Sequence, residues 1–194
     1  MSTVLIAQDE EEEKRGFKKE NMFTGGSISL AFYSNTFLIG ANPVFGYSIN
    51  RWIDAGLVVN YNYASYKDVS YYGSNDKIRQ NIYGGGIFTR IFPVRFLFAQ
   101  AQLEHNFINQ KYIPPPGGSV EEIVKVQASS FLVGGGYTSS RDPDSGQPFF
   151  YLAVLFDLGK ETYSPYKDNL GRTIPIIRAG IQVPLFQKQR GQQY

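Results

Sequence analysis

The sequence predicts an all-β fold: an eight-stranded antiparallel up-and-down transmembrane β-barrel behind a short disordered N-terminal tail. Three observations carry this. Apolar residues recur with period two from Met22 almost to the end of the chain. No stretch approaches the roughly 18 to 20 continuous apolar residues that a membrane-spanning helix needs. The composition is rich in Tyr (14), Phe (15) and Gly (20) and poor in strong helix formers. A length of 194 residues suits one domain with a sizeable core and is short for two.

The chain opens with Val4-Leu5-Ile6-Ala7-Gln8 and switches abruptly to Asp9-Glu10-Glu11-Glu12-Glu13. Residues 1–8 therefore read as the end of a signal-peptide apolar region, and residues 9–21 as an acidic flexible tail. Residues 9–20 hold 6 acids, 4 bases and one apolar residue, Phe17, too little apolar surface to order themselves. The barrel is expected over 22–187, with a C-terminal tail at 188–194.

Eight runs follow, each longer than the usual globular strand of about 5 to 6 residues. The first, 23–33, sets Ile28, Leu30 and Phe32 against Ser27, Ser29 and Ala31; the second, 36–49, sets Phe37, Ile39, Phe45 and Tyr47 against Gly40, Asn42, Gly46 and Ser48. In the third, 52–66, Leu57, Val59 and Tyr61 oppose Asp54, Gly56, Asn60 and Asn62. In the fourth, 77–92, Tyr83, Ile87 and Ile91 oppose Gln80, Gly84, Gly86 and Arg90. The fifth, 95–107, puts Leu97, Ala99, Ala101 and Leu103 opposite Gln100, Gln102, Glu104 and Asn106. The sixth, 123–137, is the least regular: Val124, Val126, Ala128 and Leu132 stand against Lys125, Gln127 and Ser129, and a bulge near Ser130 would account for the break. The seventh, 149–160, alternates Phe150, Leu152, Val154 and Phe156 with Tyr151, Ala153 and Asp157, and the eighth, 173–186, alternates Ile177, Ala179, Ile181 and Val183 with Arg178, Gly180 and Gln182.

The connections largely alternate in length, with two departures: Ser34-Asn35 is short against the trend, and the link Arg141 to Gly146 is intermediate. Asn50-Arg51 and Pro93-Val94 are tight, whereas 67–76, 108–122 and 161–172 are long and rich in Tyr, Pro, Gly and charge. A soluble, lipocalin-like ligand-binding barrel would turn the apolar face inward and carry its charges outside. Here the polar face carries Gly, Ser, Ala, Asn and Gln with about one charge per strand, too few for a solvated exterior, and the other face is almost uncharged. The second suits hydrocarbon and the first a crowded lumen. Tyr63, Tyr66, Tyr112, Tyr163 and Tyr166 gather at the long-loop ends, and Tyr47, Trp52, Phe92, Phe96 and Phe149 at the short-turn ends, as two aromatic girdles.

Phe23-Thr24-Gly25-Gly26-Ser27, the stretch Ala41 to Tyr47, Ala55-Gly56-Leu57, the stretch Ile87 to Pro93 and the stretch Arg178 to Val183 resemble successive strands of small eight-stranded bacterial outer-membrane β-barrel proteins, especially the Bacteroidota type. The resemblance covers about residues 22–187. It implies the bacterial outer membrane as location, outer-membrane lipid as surroundings, and the barrel-assembly machinery as a partner during biogenesis. Arg178, Gly180, Val183 and Leu185 look like the last-strand signal read by that machinery, although eight residues follow Phe186 where the family commonly ends on the aromatic.

Chemistry has few candidates. With no Cys and one His, thiolate catalysis and imidazole metal clusters are gone, and a formal net charge of +2 does not make a nucleic-acid surface. No cofactor is expected. His105 falls on the apolar face with no Ser just after it, so it is read as an interfacial residue and not as half of a dyad. Gly84-Gly85-Gly86 and Gly134-Gly135-Gly136 lack the Lys-Ser or Lys-Thr of a phosphate loop. The functional expectation is a non-enzymatic envelope protein, structural or accessory to a membrane complex; the alternative is a surface binding or adhesion protein working through its outer loops, where Tyr71, Tyr72, Pro115, Tyr163 and Tyr166 offer surface. The lumen-side charges pair arithmetically. Asp54 with Arg90, Glu104 with Lys125 and Asp157 with Arg178 each have their midpoint inside a long loop, which predicts three ion pairs between neighbouring strands.

Overall fold

The computed structural model describes residues 17–33, 35–70, 72–115, 118, 122–139, 141–142, 146–168 and 170–186. The expected leader at 1–8, the tail at 188–194 and Tyr71 lie outside the described residues. Eight strands form in chain order: β1 (Met22–Tyr33), β2 (Thr36–Ser48), β3 (Ile53–Lys67), β4 (Lys77–Val94), β5 (Leu97–Ile113), β6 (Glu122–Thr138), β7 (Phe149–Asp157) and β8 (Ile176–Pro184). Every neighbour is antiparallel, and β8 returns to β1 to close the barrel. Closure removes the sheet edges over the height that all eight strands share.

The barrel is lopsided. β4 runs 18 residues and β5 and β6 run 17 each, whereas β7 and β8 have 9 each. Pairing of β6 with β7 stops at Leu132, so Glu122–Ser130 rise with β5 as their only strand partner. The chain before β1 is tied down at the short-turn end. Residues 19–21 form one turn of 3-10 helix, Phe17 stacks on Tyr47 with ring centroids 5.2 Å apart, and the Asn21 amide donates to the Ser48 carbonyl at 3.0 Å.

On seven strands the apolar row faces out and the small and polar row faces in. β6 is the exception and corrects the expectation: Ala128, Ser130 and Leu132 are buried inside, while Lys125, Gln127 and Ser129 are exposed on the outer wall. Glu104 stands opposite Ser130, and Lys125 opposite Asn109. An odd shift of register exchanges the two faces of a strand. The inversion is favourable because the outer-end lumen is apolar, and it seats Ala128 and Leu132 among Ile108, Leu155 and Ile176. No bulge falls at Ser130. The ladder slips instead between Ile91 and Val94 of β4, around Pro93, which has no N–H to give it.

The lumen is filled in three layers. At the long-loop end Leu38, Ile82, Ile108, Leu132, Leu155 and Ile174 pack together; at the short-turn end lie Phe92, Phe98, Phe149 and Tyr151 on one side and Phe23, Val44, Val58 and Phe88 on the other. Between them sits a polar belt. Inward glycines let the wall curve around it: a Cβ on Gly86 would lie 1.8 Å from the Leu103 carbonyl oxygen, and one on Gly134 would lie 2.0 Å from that of Val154.

Candidate functional site

The polar belt is built from inward positions of five strands and completed by one turn and one loop. On β5, Gln100, Gln102 and Glu104 stand two residues apart on the lumen face, so their side chains form a ladder along the axis. Gln100 Nε2 donates to Gln102 Oε1 at 2.7 Å, and Gln102 Nε2 donates in turn to Glu104. Arg178 of β8 reaches across the lumen, placing Nη2 3.0 Å from Glu104 Oε1 and Nη1 3.1 Å from Gln102 Oε1. The other Glu104 oxygen accepts the Tyr166 hydroxyl at 2.7 Å and the Asn106 amide at 3.3 Å. Each oxygen of this buried carboxylate is thus covered by donors, one of them a cation, which such burial requires.

A second group lies nearer the short turns. Asp54 and Arg90 face each other in register, yet their side chains take other partners. Asp54 is held by Arg141, with Nη2 2.5 Å from Oδ1 and Nε 3.3 Å from Oδ2, and accepts the Gln182 amide at 3.1 Å. Arg90 donates to Gln100 Oε1 at 2.8 Å and to Gln182 Oε1 at 3.0 Å, and its guanidinium carbon lies 4.2 Å from the Tyr151 ring centroid and 5.0 Å from that of Phe88. The guanidinium exchanges a carboxylate for two amide oxygens and aromatic faces. Gln182, bonded to both, bridges Asp54 to Arg90.

The three expected ion pairs are therefore corrected. Asp54 pairs with Arg141 and not with Arg90; Glu104 pairs with Arg178 and not with Lys125, which stands on the outer wall; Asp157 has no cation among the described residues. Asp157 faces Leu132 on β6 and accepts the Phe131 and Gly159 amides at 3.0 and 2.8 Å together with the Ser164 hydroxyl. Its role is to fasten the start of the β7–β8 loop. In register Arg178 lies opposite Ala153.

At each end a connection sends one side chain into the lumen. At the short-turn end the segment between β6 and β7 folds Arg141 inward, where it also donates to the Arg51 and Asn50 carbonyls and stacks 4.1 Å over Phe92. At the long-loop end the β7–β8 loop, 158–175, drops Tyr166 into the lumen; it is 1% exposed and belongs to the apolar layer. Tyr166 is thus a plug, which corrects its assignment to an outer binding surface. Tyr72 and Tyr163 do stand out at 92% and 58% exposure, and Pro115 is half-buried. The β3–β4 loop folds around Asp76. Its buried carboxyl is drawn upward by desolvation, but hydrogen bonds from Ser70, Ser74, the Val69 amide and Tyr112 outweigh this and hold its pKa at about 2. Asp168 likewise sits below the ordinary carboxylate range: burial raises it, but the Leu170 and Arg172 amides and the Arg172 side chain prevail.

Sequence reasoning missed Arg141, the glutamine ladder and Ser129. Ser129 lies directly across from His105, with Oγ 3.0 Å from Nδ1, on the exposed outer wall. No acid is hydrogen-bonded to that imidazole among the described residues, so the pair lacks the orienting third member of a catalytic triad. No group of His, Cys, Asp and Glu able to hold a metal occurs among the described residues.

No family model matches the chain, and no curated protein matches it. Among solved structures it is similar to Ail, the attachment invasion locus protein of Yersinia pestis, crystallised with the heparin analogue sucrose octasulfate: TM-score 0.49, 10% identity, 84% of this chain and 95% of that one. It is also similar to the N-terminal β-barrel domain of Pseudomonas aeruginosa OprF, at TM-score 0.47 and 13% identity over 84% of this chain and 97% of that one. The transport unit of the Escherichia coli autotransporter AIDA-I follows at TM-score 0.32 and 18% identity over 91% of this chain and 65% of that one. At such identities the likeness concerns barrel architecture and says nothing about what this chain binds.

Proposed function

We propose that the chain is an integral bacterial outer-membrane β-barrel with a sealed lumen, non-enzymatic, serving a structural or accessory role in the cell envelope or in a membrane complex. One observation supports this above all: the polarity is inside out. Asp54, Arg90, Glu104, Asp157 and Arg178 are at most 3% exposed, while Ile28, Leu57, Val59, Ile87, Leu103 and Leu152 are each more than half exposed on the outer wall. In water this would leave a continuous apolar belt against solvent and charges in the core, the reverse of what soluble proteins do. In hydrocarbon it is the arrangement of lowest cost. The same facts weigh against the lipocalin-like alternative, which would place an apolar ligand chamber inside and charges outside.

The plugging by Tyr166 and Arg141 favours a scaffold over a diffusion pore. Outer-membrane lipid would surround the wall, and the barrel-assembly machinery would insert it through β8. Exposed Tyr72 and Tyr163 support a second reading, that the outer loops bind a surface partner. Refolding the full chain into phosphatidylcholine vesicles tests the first reading. Heat-modifiable gel migration and resistance to alkaline extraction are expected, with no stable conductance in planar bilayers. A chain that stays in the aqueous phase, or one that opens steady channels, refutes it.

A further inference from the structure

Between the inner face of β3–β5 at the long-loop end and the β7–β8 loop lies a cavity of about 210 Å³ that no role above uses. Thr162 and Tyr163 form its exposed rim, and Ser164 and Lys167, on either side of the plug residues Pro165 and Tyr166, line it further in. The sheet supplies Gln80 of β4 and Gln110 of β5. They stand directly opposite each other on inward positions and share a hydrogen bond, Gln80 Nε2 to Gln110 Oε1 at 3.0 Å. One inward step further out, Ile78 faces Tyr66, and both line the same cavity. At about 30 Å³ per water the space equals about seven waters, or one six-membered ring with its substituents, and it falls below the roughly 300 Å³ of larger organic ligands.

Charge and hydrogen-bonding sense select the ligand. The lining carries one charge of each sign, and both are tied down. Lys167 Nζ donates to the Gly159 and Glu161 carbonyls at 2.8 and 3.0 Å, and Asp168 accepts the Leu170 and Arg172 amides and pairs with the Arg172 guanidinium at 2.7 Å. A neutral ligand suits such a lining. The polar groups left over are neutral as well. Gln80 Oε1 is buried without a donor, while Gln110 Nε2 and the Thr162 hydroxyl make no hydrogen bond with any described residue. A phosphate or carboxylate only accepts and leaves Gln80 Oε1 unmet; an ammonium only donates and leaves Gln110 Nε2 unmet; a hydroxyl does both. These groups lie on both walls, so hydroxyls spread around a ring meet them better than the single plane of an amide. The remaining lining is apolar. Val69 and Ile78 offer aliphatic surface, and the Tyr163 ring, 58% exposed at the rim, offers a flat face.

We propose that this cavity binds a single neutral hexopyranose unit, its hydroxyls bonded by Gln80 and Gln110 and one C–H face covered by Tyr163. Binding turns the Gln80 amide toward the sugar and gives its oxygen the donor it lacks. The inference rests on the membrane reading only in placing the cavity at the cell surface, and it deepens the loop-binding reading by naming the ligand class and the residues.

Saturation-transfer NMR tests it on the full chain refolded in a phosphocholine detergent, which carries no sugar. The probes are the methyl glycosides of glucose, galactose and mannose, with N-acetylglycine methylamide and methyl phosphate as amide and ionic comparisons. At least one glycoside should bind, with an affinity that salt leaves unchanged and with transfer strongest to the C–H protons of one ring face. Gln80→Met and Gln110→Met keep side-chain length while removing the amide, and each should weaken binding about fivefold or more. Tyr163→Ala should abolish the one-sided transfer, while Tyr72→Ala, in the β3–β4 loop, changes neither quantity. Heat-modifiable migration checks folding; Thr162→Trp, which fills the cavity from the loop side and should abolish binding, replaces any Gln variant that does not fold. Absence of glycoside binding, preference for the amide or the phosphate probe, equal affinity in parent and variants, or equal loss in Tyr72→Ala overturns the proposal. Insertion into vesicles without glycoside binding sinks this inference alone. Glycoside binding by a chain that fails to insert sinks the membrane reading and leaves the cavity's role standing.

Discussion

Replacing Arg178 with Met removes the one cation on Glu104 while keeping most of the side-chain volume. The pair is fully sequestered, with the two side chains 3% and 0% exposed, so solvent screening offers little relief. Breaking a buried pair from one side costs about 3 to 5 kcal/mol, because the remaining charge stays behind without its partner. Here Glu104 keeps the Tyr166 hydroxyl and the Gln102 and Asn106 amides, which places the expected loss near the lower end, about 3 kcal/mol. Glu104→Gln added to Arg178→Met removes the stranded charge, and a Gln oxygen still accepts from Tyr166. The double variant should therefore be more stable than Arg178→Met alone by at least about 1 kcal/mol. Urea titration of the chain in phosphatidylcholine vesicles measures both, and Trp52, the single tryptophan and 56% exposed in the β2–β3 turn, reports insertion. A single variant that costs under about 1 kcal/mol, or losses that simply add in the double variant, would refute the view that this pair is a mutually dependent unit.

Leu57→Arg, at a lipid-facing position 59% exposed on the wall, should cost about 2 to 4 kcal/mol in the same titration if it lies near the bilayer midplane; a neutral result would place water against that wall. Tyr166→Phe removes the hydroxyl that bonds Glu104, and the loop 158–175 should then be cleaved faster by an added protease, with unchanged cleavage counting against the plug. Arg141→Ala leaves Asp54 buried with only Gln182 and should destabilise by about 2 to 4 kcal/mol; Asp54→Asn in the same chain should recover part of that. Because the pKa of Asp76 is held at about 2, below its unfolded value near 3.9, its contribution is complete above about pH 4 and fades as pH falls through 2. Amide exchange at Val69 and Ser70 should stay slow down to about pH 4 and quicken below it.

Fold and face were legible where the inward row carries charged or amide side chains that hydrocarbon rejects. That holds for β3, whose Asp54, Asn60 and Asn62 are rejected by lipid, and for β8, whose Arg178 and Gln182 are too. It fails on β6, where both rows are mixed. Val126, Ala128 and Leu132 are as acceptable to an apolar lumen as to hydrocarbon, and Lys125 above the belt meets neither. Alternation reports that two faces differ, and only a residue that one environment rejects says which face is which. The ion pairs failed for a related reason. Cross-strand arithmetic sees partners on adjacent strands, but in a narrow barrel long side chains reach across the axis: Arg178 and Glu104 are 74 positions apart on β8 and β5, and Arg141 and Asp54 are 87 apart. A charge count carried the missing signal. With Lys125 outside, the strands offer Asp54, Glu104 and Asp157 against only Arg90 and Arg178, so a closed lumen of balanced charge needs one more cation from a connection. Arg141, set in the one connection of intermediate length, supplies it.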